Sequence, residues 1–236
     1  MVMNRVVAFV LLCACAIGAG CGPESRPVDE GTGPLRLGVN LETPPYQYRN
    51  EKGEIVGTEI DMAKTIAARM GRPLDIHVMP FEELIPRLHA GELDFGIAMI
   101  TVTPARRRDV DFSDSYDSQG CCFLYRTGET VPTMITSFRL LVGTVNATTP
   151  DIYLSLHDLN PRRFRTGEDA IEALLAGKID AVFYDAVPLR HAAARSGGKL
   201  SVTPLETREN YAIAVRKGQP KLLSVCNEVV QEVLKK

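Results

Sequence analysis

Two stretches of the chain read as copies of one device: Glu82 to Ala98 runs EELIPRLHAGELDFGIA, and Glu168 to Tyr184 runs EDAIEALLAGKIDAVFY. In each, apolar residues at helical spacing end in Ala-Gly, where glycine takes the left-handed cap. An Asp then leads into a short apolar run that suits a buried strand. A helix-to-strand unit used twice predicts two similar α/β lobes. Ligands of open α/β sheets gather beyond the carboxyl ends of the strands. That places Met99 to Thr101 of one lobe and Asp185 of the other at a cleft between them. The same punctuation occurs in many α/β proteins, so function has to be argued from further residues.

A chain of 236 residues makes one large or two small domains, and 45% hydrophobic residues supply real cores. The formal charge of -2, with no basic patch interleaved with aromatics, gives no reason for a nucleic-acid partner. At the start, one positive charge in Met1 to Arg5 precedes an apolar run from Val6 to Ile17, and Gly18-Ala19-Gly20 precedes Cys21. This reads as an export signal over 1–20. The run is shorter than the roughly 20 residues a membrane-spanning helix needs. The polar stretch that follows reads as a tether over 21–34.

Cys13 and Cys15 would leave with the signal, which leaves Cys121, Cys122 and Cys226 beside Cys21. Adjacent Cys121 and Cys122 point to opposite faces if they lie on a strand. They read as small buried hydrophobes, with a bond to Cys226 as the alternative. His77, His89, His157 and His191 are scattered singly. There is no Gly-x-Ser-x-Gly, His-Glu-x-x-His, phosphate loop or Cys-x-x-Cys, so neither catalytic residues nor a metal or cofactor site is expected.

Leu35 to Val39 reads as a first strand, followed by the loop Thr43-Pro44-Pro45-Tyr46. Thr58 with Asp61 approximates a capping box for a helix that Gly71 ends. Leu74 to Met79 makes the next strand, and Pro86 predicts a short or kinked helix after Phe81. Thr103-Pro104 predicts a helix opening with Arg106 in its first turn. Cys121 to Tyr125, Leu140 to Val145 and Tyr211 to Val215 read as strands, and Lys221 to Leu234 as a final helix. The expected division is lobe 1 over 35–118 and 216–236 and lobe 2 over 119–215, with two hinge strands near 118–124 and 209–215.

Taken in order, these residues resemble the family 3 bacterial extracellular solute-binding proteins, the amino-acid receptors of ABC transporters. The stretches that carry the resemblance are Pro44-Pro45-Tyr46, Gly57 to Asp61, Phe81 to Pro86, Gly91 with Asp94, Thr101 to Arg106, Val110 to Asp114 and Ala212 to Gly218. The resemblance implies a periplasmic-binding-protein-like type II fold of two α/β lobes joined by a two-strand hinge. It also implies a receptor that closes on an amino acid and presents it to an ABC permease. The start further resembles a bacterial lipoprotein signal, which implies lipidation of Cys21 and membrane anchoring on the outer side of the membrane; ordinary signal cleavage is the alternative. A monomer is expected.

By the same resemblance Arg106 pairs with the ligand α-carboxylate, where a planar guanidinium fork gives bidentate hydrogen bonds. Thr101 and Thr149 add hydroxyls from the two lobes. Asp185 receives the ligand ammonium, or else caps the helix that follows it. Tyr46 and Phe81 sandwich the ligand side chain, with core packing as the alternative for Phe81. Asn40, Thr43 and Met99 depart from the family pattern. Asn40 and Thr43 remove a counter-charge and a stacking partner for a cationic ligand, which leans toward a small or uncharged polar side chain, and Met99 would crowd the pocket if it points inward. The chain also stops at Lys236, short of the family's last helix. Related exported enzymes, the cyclohexadienyl dehydratases, and sensor lobes of signalling systems are the alternative readings.

Overall fold

In the computed structural model the described residues are 32–41 and 43–235. All of them belong to one unit, Gly31–Lys236. The expected export signal and Cys21 lie outside the described residues.

Strands β1 (Leu35–Val39), β4 (Leu74–Val78), β5 (Phe95–Gly96), β6 (Val110–Gln119) and β12 (Glu209–Arg216) form a sheet in the order β4-β1-β5-β12-β6. β1 pairs in parallel with β4 and β5, and β12 runs antiparallel to β5 and β6. Helices α1 (Thr58–Met70) and α6 (Pro220–Val233) cover one face, where Ile60, Ile66, Leu222 and Val230 meet Leu37, Ile213 and Val215. Helix α2 (Phe81–His89) covers the other, through Leu84 and Leu88 against Ala212 and Ala214. The alternation of β12 side chains between these cores is the period-two rule of a strand with both faces buried. A two-stranded ribbon, β2 (Tyr48–Arg49) with β3 (Ile55–Val56), leads into α1.

A second sheet has the order β11-β7-β10-β8-β9, from β7 (Cys121–Arg126), β8 (Val142–Val145), β9 (Arg162–Phe164), β10 (Ala181–Asp185) and β11 (Leu200–Val202). Helices α4 (Gly167–Leu175) and α5 (Ala186–Arg195) pack on one face, and α3 (Thr149–Leu156) on the other. Cys122 enters the first of these cores and Cys121 the second, as adjacent residues of a strand must. Cys226 sits in the core of the other sheet, and all three thiols are free and buried. No helix among the described residues is long and apolar enough to cross a membrane.

The structure differs from the sequence expectations at four places that matter for the site. Thr58 does not cap α1: the cap residue is Gly57, with no side-chain bond. A Cβ at Gly57 would lie 2.2 Å from the Tyr46 carbonyl oxygen, so backbone packing selects the residue there. Thr103-Pro104 opens only a single 3-10 turn, Arg106–Arg108, in place of the expected helix, and one such turn is too short to carry a useful helix dipole. The alternative to a ligand role for Thr149, a helix cap before Pro150, is not used, because Thr148 is the cap residue of α3. Finally, β12 belongs wholly to the first sheet, because it pairs with β6 from Glu209 to Arg216. The chain passes between sheets at Gly120 and again between Val202 and Glu209. The two passages touch: a Cβ on Gly120 would lie 2.0 Å from the Thr207 carbonyl oxygen, and the Cys121 amide donates to Thr207 Oγ1 at 2.9 Å.

Candidate functional site

The segment after β5 and the carboxyl end of β10 meet through Tyr211. Thr101 forms an isolated antiparallel bridge with Tyr211, whose hydroxyl donates to Asp185 Oδ1 at 2.6 Å. Asp185 is only 7% exposed, and although it stands at the start of α5 its side chain makes no cap bond. Of the two sequence readings of this residue, the structure therefore does not use the helix cap. Burial, reinforced by the neighbouring Glu209 charge, pushes the Asp185 carboxyl up to about 7.

Arg106 comes from the first-sheet side and faces the same place. Its main-chain amide donates to Thr103 Oγ1 at 3.1 Å and its Nη1 to the Thr101 carbonyl at 2.9 Å, which fixes the side chain from both ends. The guanidinium lies 5.1 Å from the centroid of the Phe81 ring, so the aromatic at the head of α2 serves as a platform for the cation. Burial lowers the Arg106 pKa, and the negative charges of Glu209 and Asp185 oppose that shift. Among the described residues no carboxylate lies within 4.0 Å of it. Arg107 and Arg108 are exposed, the ordinary fate of a basic run.

Thr149, in the first turn of α3, brings its hydroxyl to 3.3 Å from that of Thr101. Both donate to one carboxylate oxygen, Glu209 Oε2, at 2.5 and 2.6 Å. The other oxygen, Oε1, accepts from Cys121 Sγ at 3.0 Å and Thr207 Oγ1 at 3.3 Å. Sequence reasoning missed Glu209 and Tyr211. The signal available was a Glu and a Tyr at the head of an otherwise apolar strand, a pattern that by itself reads as a strand end. A further link between the two sheets' loops joins Asn146 Nδ2 to Glu82 Oε2 at 2.7 Å.

The remaining expected residues lie one step back. Asn40 is held by Gln47, whose Nε2 donates to its Oδ1 at 2.8 Å, and Thr43 is buried with backbone bonds to Tyr46 and Gln47. Tyr46 donates its hydroxyl to Asp117, and burial raises its pKa. Met99 does not crowd the site: its side chain packs in the first core. Its backbone takes a positive φ of 48°, and its amide donates to Glu59 Oε1 at 2.9 Å. Glu59 is fully buried, receives the Tyr116 hydroxyl on the same oxygen, and leaves Oε2 without a partner. Burial pushes its carboxyl up to about 7.

Cys121, Asp185 and Glu209 bring one potential metal donor each within 4.8 Å of one another. The chemistry of the set is poor for a metal. Burial holds the Cys121 thiol well above its ordinary pKa, whereas a metal needs the thiolate, and every member already has a hydrogen-bond partner. An open cleft of about 1230 Å³ lies away from this cluster, between Pro44, Pro45 and Tyr48 on one side and Ile171, Tyr184 and Pro188 on the other.

Residues 35–236 match the model of the bacterial extracellular solute-binding proteins, family 3. A probable histidine-binding protein of Neisseria gonorrhoeae is 26% identical, over 98% of this chain and 91% of its own length. An L-arginine-binding protein of Pseudomonas aeruginosa is also 26% identical, with 87% and 85% covered. Among solved structures, holo ArgBP from T. maritima superposes with a TM-score of 0.81 at 35% identity, covering 86% of this chain and 91% of that one. The two five-stranded α/β lobes thus have the type II architecture of amino-acid-binding periplasmic proteins, and the chain belongs to the bacterial extracellular solute-binding proteins of family 3.

Proposed function

We propose that the protein is an exported receptor that closes on one amino acid and delivers it to an ABC permease, acting as a monomer and a binder, not an enzyme. The observation that carries this reading is the meeting of Arg106 and Thr101 from the first lobe with Thr149 and Asp185 from the second around one buried spot. Arg106 and the two hydroxyls suit an α-carboxylate, and Asp185 suits an ammonium; burying a zwitterion requires both ends to be paired. Micromolar affinity corresponds to about -8 kcal/mol, more than one ion pair supplies but within reach of the whole set. Closure follows because a ligand touching both lobes binds the closed arrangement more tightly than the open one. The two neighbouring passages at Gly120 and between Val202 and Glu209 form the hinge of this reading.

The relatives named for arginine and histidine support a polar or basic ligand. Charge balance points the same way: Asp185 and Glu209 face one guanidinium, so a ligand of net positive charge offsets them better than a neutral zwitterion. The lean toward a small or uncharged polar side chain rests on Asn40, Thr43 and Met99; the first two are tied to Gln47, and the Met99 side chain packs in the first core. Thermal-shift and calorimetric screening against the amino acids tests the proposal. Stabilisation by one chemical group of them is the expected result, and turnover of prephenate with no amino-acid binding would replace the receptor by a dehydratase. For anchoring at Cys21, loss of lipid mass in Cys21→Ser, read by mass spectrometry of the membrane fraction, is the expected outcome.

A further inference from the structure

Glu209 enters the receptor reading only as a charge, yet it engages the groups which that reading reserves for the ligand. Its Oε2 takes the hydroxyl protons of Thr101 and Thr149, and it is the foremost negative charge acting on Arg106. Its other oxygen is held by Cys121 and Thr207 at the passages between lobes, so the carboxylate is seated deliberately and not by chance at a surface. A threonine hydroxyl has one proton to give. Each hydroxyl that turns to a ligand carboxylate is therefore lost to Glu209, and neither can serve both.

We infer that Glu209 is a resident carboxylate that competes with the ligand's α-carboxylate for Thr101 and Thr149, and that it also fastens the lobes to each other. The fastening is direct: Glu209 opens β12 of the first sheet, and Thr149 opens α3 of the second lobe. A charge-assisted bond between them favours the closed arrangement before any ligand arrives. Binding an amino acid exchanges this internal carboxylate for an external one, so the net gain from the carboxylate end is smaller than Arg106 and two hydroxyls would otherwise give. An amine of the same shape without a carboxylate leaves Glu209 in place. Glu209 thus sets how strongly the site distinguishes an amino acid from its decarboxylated amine.

The inference rests on the amino-acid reading, and the test separates the two. Calorimetry on the purified protein and on Glu209→Gln, with L-arginine and its decarboxylated amine as probes, should show the ratio of the two affinities rising roughly tenfold in the variant, as the loss of a charged competitor implies. Glu209→Gln keeps a similar volume and two bonding ends, so folding is preserved; Glu209→Ala should raise the ratio at least as much. A ratio unchanged or lowered in Glu209→Gln overturns the competition, because a purely structural carboxylate would weaken both probes alike. If no amino acid binds the parent protein, the receptor reading fails and small-angle scattering without added ligand decides the rest. A larger radius of gyration in Glu209→Gln upholds the fastening, and an identical one overturns it.

Discussion

The two helix-glycine-strand units are alike in sequence and differ in what they deliver. Gly91 and Gly177 both take the left-handed conformation, at φ 76° and 69°. Beyond them, the second unit runs straight into the five buried residues of β10 and presents Asp185 at its end. The first forms strand pairing over only Phe95–Gly96. The chain then leaves regular structure, passes through the positive φ of Met99 and presents Thr101 and, five residues on, Arg106. A straight strand end thus offers the anion, and a bent one the hydroxyl and the cation. The matching aspartates diverge as well. Asp94 has a side chain only 6% exposed and pairs with Arg36 at 2.9 Å and Arg216 at 3.6 Å, whereas the Asp180 side chain is 45% exposed and accepts from the Leu141 amide at 2.7 Å. Equal positions in a repeat carry equal geometry only when their surroundings are also repeated.

The largest effect should come from the two presented ends. Arg106→Ala and Asp185→Ala should each weaken amino-acid binding by roughly 2–5 kcal/mol, the consequence of leaving the opposite charge of a buried pair alone. Isothermal calorimetry reads this, and undiminished affinity in either variant removes that residue from the site. Asp94→Ala should lower stability by about 2–3 kcal/mol, below the full figure for a buried pair because the Arg36 side chain is 35% exposed. Urea unfolding measures it.

Acidity tests each half through one buried carboxyl, Glu59 behind Met99 and Asp185 at the end of β10, both pushed up to about 7. A carboxyl whose folded pKa lies above its unfolded value favours the folded state when neutral. Stability should therefore rise as pH falls from 8 to 5, on the order of 2 kcal/mol for each group, and be lost as pH climbs through 7. Glu59→Gln should flatten this dependence without abolishing it, since Asp185 remains. An unaltered slope in that variant would show that Glu59 does not titrate there. Ligand affinity should move the opposite way over the same window, falling as Asp185 takes up its proton, and a flat calorimetric profile would contradict that. The smallest effect belongs to Asp180→Ala, at under about 1 kcal/mol in urea, as for other exposed pairs. A cost matching that of Asp94→Ala would erase the contrast between the units.

Much of the fold was legible in the amino-acid sequence. The strand at Leu35–Val39, the helix after Phe81, the cap glycines and the two apolar runs follow from local periodicity and glycine chemistry, which act over a few residues. The position of Asp185 at a strand end was legible as well, whereas Arg106 was singled out only through the family resemblance. Thr58 and Thr103 were misleading. Their side chains fit a helix start, yet the Tyr46 carbonyl lies against the Gly57 backbone, and the segment after Thr103 makes one 3-10 turn before β6 begins.

By itself the sequence determined the order of most helices and strands, that two similar lobes form, and that Asp185 stands at the end of a strand. Only tertiary structure decided that β12 completes the first sheet, that Tyr211 holds Asp185, that Met99 turns away into the core behind Glu59, and that Glu209 reaches both threonines. The physical reason is distance along the chain. Capping and periodicity are local, whereas a buried carboxylate finds its partners among residues 60 and 108 positions away, and no local pattern records that meeting.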